Sequence, residues 1–363
     1  MLHVGLLACV IVRLIGPAGD SPIRHGFETG SEGWVGQKGQ LAVTATATDV
    51  HTGKGALQFT YSIAKGEMNH LALPVMAGSL AKAASIRLWV KTDESTSLLL
   101  SVQEKGGGRY MAAFACPKAE WQQVEISPSD FRLNEGKDDP RDSNGKLDMD
   151  QVEAILLADF SQFFAQADPA MAEMFNLRLG PRSLILDDFD VSDMALAVSP
   201  GAAAGEVAFD EFLRPQAGWI AINSLRTAVA SGKPLTGKSL QIAYTQAAGK
   251  ISGGLRAIRR GSLAGMTTLK FTVASSRPCK LMVQLEETSG GKYNTLVEIS
   301  GDSKPQEIAI PFAELIAADD SKDDNSKLDP ETIHQFLFLD FYGVIGLGAG
   351  DNTLWLGSLK ATM

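Results

Sequence analysis

The sequence predicts an all-β protein built from two tandem β-sandwich domains, with short helices confined to loops. Two observations predict this class. Short segments alternate apolar and polar residues with a period of two, which is typical of strands that bury one face. The same six motifs also occur in the same order in both halves of the 363-residue chain. A unit of about 170 residues has the size of a domain, so the repeat predicts two domains rather than a solenoid.

The repeat consists of six pairs of motifs. The pairs are Phe27-Glu28 plus Gly33-Trp34 with Phe209-Asp210 plus Gly218-Trp219, and residues 52–61 with 236–244, 85–90 with 268–273, 103–110 with 286–293, 124–128 with 308–311, and 146–148 with 327–329. Between the halves, the small and uncharged stretch ALAVSPGAAAG at 195–205 is typical of a linker. The predicted boundaries are a first domain at 20–196, a linker at 197–205 and a second domain at 206–363.

The alternation also predicts which side chains face the core. Ile86, Leu88 and Val90 lie at every second position of one predicted strand, with Arg87 and Trp89 between them. A slip of one residue would expose all three apolar side chains together, so the register is strongly specified. Arg87 and Trp89 are therefore predicted on the outer face of their sheet.

Helical elements are predicted only in the loops. Asp148 can cap a short helix over 149–156, and Asp329-Pro330 offers an N-cap followed by proline at the first helical position. Residues 161–175 are rich in Met and Phe and have no counterpart in the second half. They predict a helical or irregular lid, for which local packing is favoured over a partner-binding surface.

Charge and the N-terminus indicate where the protein acts. Lys and Arg number 33 against 42 Asp and Glu, and this acidic balance argues against nucleic-acid binding. Residues 4–16 are nearly all apolar but too few for a membrane span, which needs about 20. They match the apolar region of a secretory signal, so residues 1–19 predict a signal peptide and a secreted or cell-surface protein. A buried strand or a misassigned start is the alternative.

The sequence offers little metal or thiol chemistry outside this segment. No apolar run after Gly19 is long enough to cross a membrane. Cys116 and Cys279 are predicted to be buried free thiols, because two cysteines in different halves make no disulfide framework. The five histidines show no zinc-binding spacing.

Several motifs together resemble the jelly-roll carbohydrate-binding modules of the galactose-binding-like superfamily, and are similar to families 4, 11 and 22. They are the opening Phe-Glu with a following Trp, the Leu-Trp-Val-Lys strand at 88–91, the Trp-x-x-Val-x-Ile strand at 121–126 and the closing Leu-Ile-Leu-Asp-Asp-Phe strand at 184–189. The resemblance covers 26–194 well and 206–363 less well. It implies two jelly rolls that bind polysaccharide without catalysis, although the superfamily also holds surface proteins that have no sugar ligand.

The resemblance further implies a structural Ca²⁺ that joins the first and last strands of the first domain. Glu28 and Asp187 match the positions that supply its carboxylates, with Asp188 as a substitute, and carbonyls of residues 52–55 would complete a shell of oxygens. The alternative is a hydrogen-bonded turn with an exposed Asp pair. The second half carries Gly357-Ser358 at the matching place, so no calcium is expected there.

Sugar binding needs an aromatic ring that stacks on a pyranose and planar polar groups that hold its hydroxyls. The candidate ligand-binding residues are Arg87, Trp89, Tyr61, Gln103, Glu104, Arg109 and Tyr110. The site is placed on the sheet face of Arg87 and Trp89, rather than at the loop tips near His51 or Glu67. The alternative is that Trp89 belongs to the core. The matching residues of the second half are Lys270, Thr272, Glu286 and Tyr293, without the tryptophan.

Catalysis finds no support in the motifs. The sequence contains no Gly-x-Ser-x-Gly, Walker loop or Cys-His pair, and no carboxylate pair of the glycosidase kind stands in a recognised motif. The acidic loops 134–150 and 317–331 are interpreted as solvated loops that end in a helix cap. A non-catalytic polysaccharide-binding protein is therefore predicted. A structural or protein-interaction sandwich and, less favoured, a polysaccharide-active enzyme are the alternatives.

Overall fold

The computed structural model describes residues 23–134, 139–165, 177–196, 204–210, 212, 218–346 and 348–363. The described residues form two compact units, one within 23–196 and the other within 204–363. The predicted signal peptide at 1–19, residues 197–203 of the predicted linker and residues 166–175 of the predicted lid lie outside the described residues.

The described residues of the first domain form twelve strands in two antiparallel sheets. The strands are β1 Ile23–His25, β2 Val35–Gln37, β3 Gln40–Thr44, β4 Ala56–Ile63, β5 His70–Pro74, β6 Ser85–Thr92, β7 Thr96–Glu104, β8 Arg109–Cys116, β9 Gln122–Ile126, β10 Arg132–Leu133, β11 Val152–Asp159 and β12 Gly180–Ser192. The first sheet has the order β3-β4-β12-β6-β9 with β1 on β12, and the second sheet has the order β10-β8-β7-β11-β5-β2.

The described part of the second domain repeats this arrangement with twelve further strands. They are β13 Glu206–Asp210, β14 Trp219–Ile222, β15 Arg226–Ser231, β16 Lys238–Gln246, β17 Ser252–Ala257, β18 Thr268–Ser275, β19 Cys279–Glu287, β20 Lys292–Ile299, β21 Gln306–Pro311, β22 Ile316–Ala317, β23 Ile333–Asp340 and β24 Gly350–Thr362. Its first sheet is β15-β16-β24-β18-β21 with β13 on β24, and its second sheet is β14-β17-β23-β19-β20-β22.

The predicted all-β class with two β-sandwich domains is confirmed. In the second domain, one buried cluster joins Leu240 and Ile242 of the first sheet to Leu281 and Val283 of the second. The predicted alternation is also observed in β6, where Ile86, Leu88 and Val90 are at most 1% exposed while the residues between them are half-buried. Both Cys116 and Cys279 are free and buried, as predicted.

Helical structure is less extensive than predicted. The one α-helix among the described residues is α1 Ser161–Ala165, and the 3-10 turns are Ala47–Asp49, Pro128–Asp130, Met149–Gln151, Phe312–Glu314 and Pro330–Thr332. The helix predicted over 149–156 is wrong, because after Gln151 the apolar run becomes the central strand β11 between β5 and β7. A strand that is covered on both faces reads as a continuous apolar run and has no period to distinguish it from a helix.

The structure changes the alignment of the first motif pair. Phe27 corresponds to Phe212 rather than to Phe209, since each stands six residues before the Gly-Trp pair. Both are at most 1% exposed and both adopt a positive φ, of 57° and 54°. Asp210 accepts a hydrogen bond of 2.8 Å from the indole of Trp219. Glu28 therefore has no acidic counterpart in the second domain.

Candidate functional site

Three aromatic rings meet on the outer face of the first sheet in the first domain. Trp89 is half-buried there, and its ring stacks on His51 with 3.8 Å between centroids and 19° between planes. The His51 ring also meets Trp121 edge to face at 5.5 Å. We call His51, Trp89 and Trp121 the aromatic cluster. It shows that Trp89 is not part of the core.

The neighbouring strand β12 fixes the histidine of this cluster. A bulge between Asp187 and Asp190 gives Asp188 a φ of 47°, so that both Asp187 and Asp188 reach the loop that carries His51. Asp187 Oδ2 accepts hydrogen bonds from the amides of His51 at 2.9 Å and Thr52 at 3.2 Å. Asp188 Oδ2 lies 2.9 Å from Nδ1 of the His51 ring. Backbone and ring of His51 are thus held from one bulge.

Polar groups with neutralised charges surround the cluster. Gln123 of β9 lies directly opposite Trp89, and Glu125 lies opposite Arg87. Arg87 Nε donates to Glu125 Oε1 at 3.1 Å, and Lys91 Nζ donates to Asp49 Oδ1 at 3.0 Å. Because each of these two cations has an anionic partner, this part of the face offers planar hydrogen-bonding groups without an excess of positive charge.

Two of the other predicted ligand-binding residues lie on the outer face of the second sheet. Gln103 of β7 and Arg109 of β8 pair directly on its outer face, and Arg109 Nε donates to Gln103 Oε1 at 3.1 Å. Arg109 also forms an ion pair of 3.0 Å with Asp139. Consecutive strands β6 and β7 belong to different sheets, so the structure does not bring these residues to Trp89.

The remaining three predicted residues bind the protein itself. Tyr61 is 7% exposed and donates to Asp159 Oδ2 at 2.7 Å in the interior. Burial raises the pKa of Tyr61 well above its ordinary value, and nearby Asp159 adds to the effect. Glu104 and Tyr110 are 4% and 3% exposed. The geometry does not favour the predicted placement of Tyr61, Glu104 and Tyr110 in a groove beside Trp89, because buried side chains offer no surface to a sugar.

Glu104 and Tyr110 instead support the acidic loop of the first domain. Glu104 Oε1 accepts from the Asp148 amide at 2.6 Å, and Tyr110 donates its hydroxyl proton to Asp142. Burial raises the pKa of Glu104. Within the loop, Asn144 Nδ2 donates to Asp148 Oδ2 at 2.8 Å. These bonds order a turn that the sequence had suggested to be merely solvated.

The second domain contains the same acidic-loop arrangement. Glu287 Oε1 accepts from the Asp329 amide at 2.6 Å, Tyr293 donates to Asp323, and Asn325 Nδ2 donates to Asp329 Oδ2 at 2.9 Å. This repetition explains why Glu, Tyr and the Lys-Leu-Asp motif recur in both halves. Tyr293 is therefore engaged in the turn and is not available as a stacking ring.

The predicted calcium ligands can be compared with what calcium requires. Asp187 is fully buried, its Oδ1 accepts from the Asp188 amide at 2.8 Å, and its Oδ2 accepts the two loop amides described above. Glu28 accepts the Lys54 amide with both oxygens, at 3.2 and 2.9 Å. Burial raises the pKa of Asp187 even though these amides oppose the shift.

These carboxylate oxygens already accept N–H groups and do not fit a calcium shell, which needs six to eight oxygen ligands. The loop at 51–54 turns N–H groups toward the two carboxylates, whereas a calcium ion would need its carbonyls. In the described parts of the chain, no group of three or more His, Cys, Asp or Glu side chains is arranged to hold a metal ion. Calcium binding by Glu28 and Asp187 stays a prediction that these contacts do not favour.

Sequence reasoning missed three residues of interest. His51 was set apart from Trp89 because the fold of a loop over a sheet leaves no periodic signal. Trp121 was read only as part of a strand motif. Trp355 of β24 was not predicted as a candidate residue of the second domain, although the alternation Leu354-Trp355-Leu356 places it on an outer face.

Comparison with known proteins adds structural neighbours. No protein-family model and no curated protein matches the sequence. A family 11 carbohydrate-binding module of a cellulosomal cellulase from Clostridium thermocellum is similar at 19% identity, covering 44% of this chain and 96% of its own, with a TM-score of 0.34. A tandem of two family 22 modules from Paenibacillus barcinonensis is similar at 15% identity, covering 96% and 99%, with a TM-score of 0.31.

A further structure is the C-terminal family 22 module of a Clostridium thermocellum protein, 10% identical, covering 50% of this chain and all of its own, with a TM-score of 0.30. All three of these structures are carbohydrate-binding modules, of family 11 or family 22. The chain itself forms two tandem β-sandwich domains. No helix in the described ranges is long and apolar enough to cross a membrane.

Proposed function

We propose that the chain is a non-catalytic, secreted or cell-surface polysaccharide-binding protein, and that its first domain holds the glycan at the aromatic cluster. The observation that carries the proposal is the Trp89–His51 stack with Trp121 at its edge, on the outer face of a rigid sheet. Aromatic rings that are only partly buried can stack on the apolar face of a pyranose, and this stacking contributes much of the affinity for a neutral sugar.

Specificity in this proposal comes from the polar groups next to the rings. Arg87, Glu125 and Gln123 present planar groups on the same face as Trp89. Such groups can donate to and accept from ring hydroxyls without burying a net charge. The expected ligand is therefore a neutral polysaccharide rather than a sulfated or highly anionic one.

The decisive variant is Trp89→Ala in the full chain. We expect it to weaken binding roughly 5- to 150-fold, because loss of the buried ring area removes on the order of 1–3 kcal/mol. Soluble mixed-linkage β-glucan, xylan and β-1,4-galactan are the probes, measured by affinity electrophoresis and titration calorimetry. Trp89→Phe keeps a stacking ring and should retain most of the affinity.

The control for this variant is Leu179→Ala, which removes an apolar side chain that is 62% exposed in the same domain. It should leave both binding and melting temperature unchanged. Equal affinity of Trp89→Ala and the wild-type protein, or no binding of any probe, would overturn the proposed site. Release of reducing ends from a probe would overturn the non-catalytic assignment.

A protein-interaction role is the second candidate, favoured by one observation. Ile222, Ile251, Met282 and Leu339 form an apolar cluster apart from the main core of the second domain. Partly buried Leu255, Leu337 and Phe341 pack against it. A glycan array that shows no ligand would shift support to this role.

A further inference from the structure

The five tryptophans fall into three groups by their surroundings. Trp34 and Trp219 are 1% exposed and occupy equivalent places in the two cores. Their indole N–H groups donate to His25 Nδ1 at 3.0 Å and to Asp210 Oδ2 at 2.8 Å. Trp89 and Trp121 belong to the aromatic cluster. Trp355 remains without a role in the structure or the proposed function.

Trp355 lies on the outer face of the first sheet of the second domain. Its neighbours Leu354 and Leu356 are at most 2% exposed and face the core, so the half-buried Trp355 between them faces outward. Strand β24 is central in this sheet, with β16 on one side and β18 on the other. The ring therefore stands on a rigid support rather than at an edge or on a loop.

The side chains around Trp355 are small or neutral. Gln241 of β16 and Ala274 of β18 lie directly opposite it, and Thr353 and Gly357 are the next residues of its own strand on the same face. In the described part of this domain, the indole Nε1 has no hydrogen-bond acceptor and the ring has no aromatic partner. An amide, a hydroxyl and an unpaired indole thus lie together beside small residues.

We propose that Trp355 is a second stacking site for a neutral pyranose, independent of the aromatic cluster. An aromatic ring beside a planar amide and a hydroxyl is the combination that sugar recognition needs. The four adjacent positions carry no charged residue that would attract an anionic ligand. The inference rests on the proposed function for its class of ligand only, because the residues and the domain differ.

Hydroxyl-radical footprinting of the full chain with peptide mass spectrometry tests the site. Labelling is measured for each tryptophan with and without mixed-linkage β-glucan, xylan and β-1,4-galactan. Trp34 and Trp219 should stay poorly labelled throughout and serve as folding controls. We expect at least one probe to protect Trp355 about fivefold or more.

The outcomes separate the two proposals. Protection of Trp89 and Trp121 without Trp355 overturns this inference and leaves the proposed function intact. Protection of Trp355 alone supports this inference and overturns the site in the first domain. No protection at any position overturns both, and protection of Trp355 by an added protein instead of a glycan assigns the face to a protein partner.

A variant pair supplies the second measurement. In a background that carries Trp89→Ala, Trp355→Ala should abolish the residual binding of the protecting probe, whereas Trp355→Phe should keep it. Leu225→Ala, which changes an apolar residue that is 57% exposed in the same domain, is the matched control. If Trp355→Ala binds like its Trp89→Ala parent while its melting temperature is unchanged, the inference is wrong.

Discussion

In each domain a loop lies over the same part of that domain's first sheet, but different contacts hold the loop in place. Each has a bulge in its last strand, with Asp188 at φ 47° in the first domain and Ser358 at φ 51° in the second. Each also has a Thr-Gly-Lys loop, preceded by His51 in one and by Leu235 in the other. In the first domain, Asp187 holds this loop by its amides.

In the second domain, an apolar contact takes the place of these hydrogen bonds. Gly357 stands where the first domain has Asp187, and a Cβ added to it would lie 3.0 Å from Leu235 Cδ1 and 2.9 Å from Thr272 Oγ1. Leu235 is 3% exposed, so the space above the glycine is filled. Thr272 in turn stands where the first domain has Trp89.

The comparison indicates that four residues of the first domain form one structural unit. They are His51, Trp89, Asp187 and Asp188. All four differ together in the second domain, where Leu235, Thr272, Gly357 and Ser358 replace them. The bulge is common to both domains, so it belongs to the fold. The aromatic cluster and its carboxylate anchor belong to the first domain, which supports a role beyond folding.

The largest loss of stability is expected when the aspartate that anchors the loop of the first domain is introduced at the equivalent position of the second domain. Gly357→Asp places a carboxylate against Thr272 and Leu235, in a space that the buried Leu235 side chain already fills. An uncompensated buried charge costs about 3–5 kcal/mol. We expect a comparable loss in the free energy of unfolding of the second domain, measured by urea denaturation.

Gly357→Ala is the matched control for this variant. It brings the same Cβ contacts without a charge and should cost about 1 kcal/mol. If Gly357→Asp is no less stable than Gly357→Ala, then the second domain can supply amides to a carboxylate, and the contrast between polar and apolar anchors fails.

A moderate effect is expected from weakening the native anchor. Asp187→Asn keeps the shape but replaces one acceptor oxygen by an N–H donor, which faces a buried amide. Leaving buried donors unsatisfied costs about 1–3 kcal/mol. Hydrogen exchange at the amides of His51 and Thr52 should speed up together with this loss of stability.

Asp190→Asn on the same strand is the control, since Asp190 pairs with an Arg24 side chain that is 75% exposed. An exposed pair contributes about 0–1 kcal/mol, so this variant should exchange like the wild-type protein. Unchanged exchange at His51 and Thr52 in Asp187→Asn would mean that the loop is held by other contacts.

Local periodicity predicted the features that depend on a single strand, such as which side chains face the core. The outward position of Trp89 followed from Ile86, Leu88 and Val90, because alternation is a property of the strand itself. The fold class followed from the same signal and from the repeat. The helix over 149–156 failed where a strand buried on both faces carries no alternation.

Contacts between distant segments were beyond the sequence. The prediction grouped Gln103 and Arg109 with Trp89 because β6 and β7 are consecutive, yet the chain crosses to the other sheet between them. The hydrogen bond from Tyr61 to Asp159 could not be foreseen either, because the two residues are 98 positions apart in sequence. The His51–Trp89 stack depends on a loop that folds back over the sheet, which no spacing of residues encodes.

The smallest effect is expected from calcium, and it bears directly on the anchor of the first domain. An ion bound only by the folded state would raise the melting temperature by mass action, and EDTA would lower it. Asp187 and Glu28 already accept the amides of the loop, so a calcium ion would have to replace these hydrogen bonds before it gained any ligand. We therefore expect the wild-type protein, dialysed against EDTA, to melt at the same temperature with and without added calcium, and elemental analysis to find no stoichiometric metal. A calcium-dependent rise that disappears in Asp187→Asn would show instead that the loop turns its carbonyls inward, and the predicted ion would then replace the amide anchor.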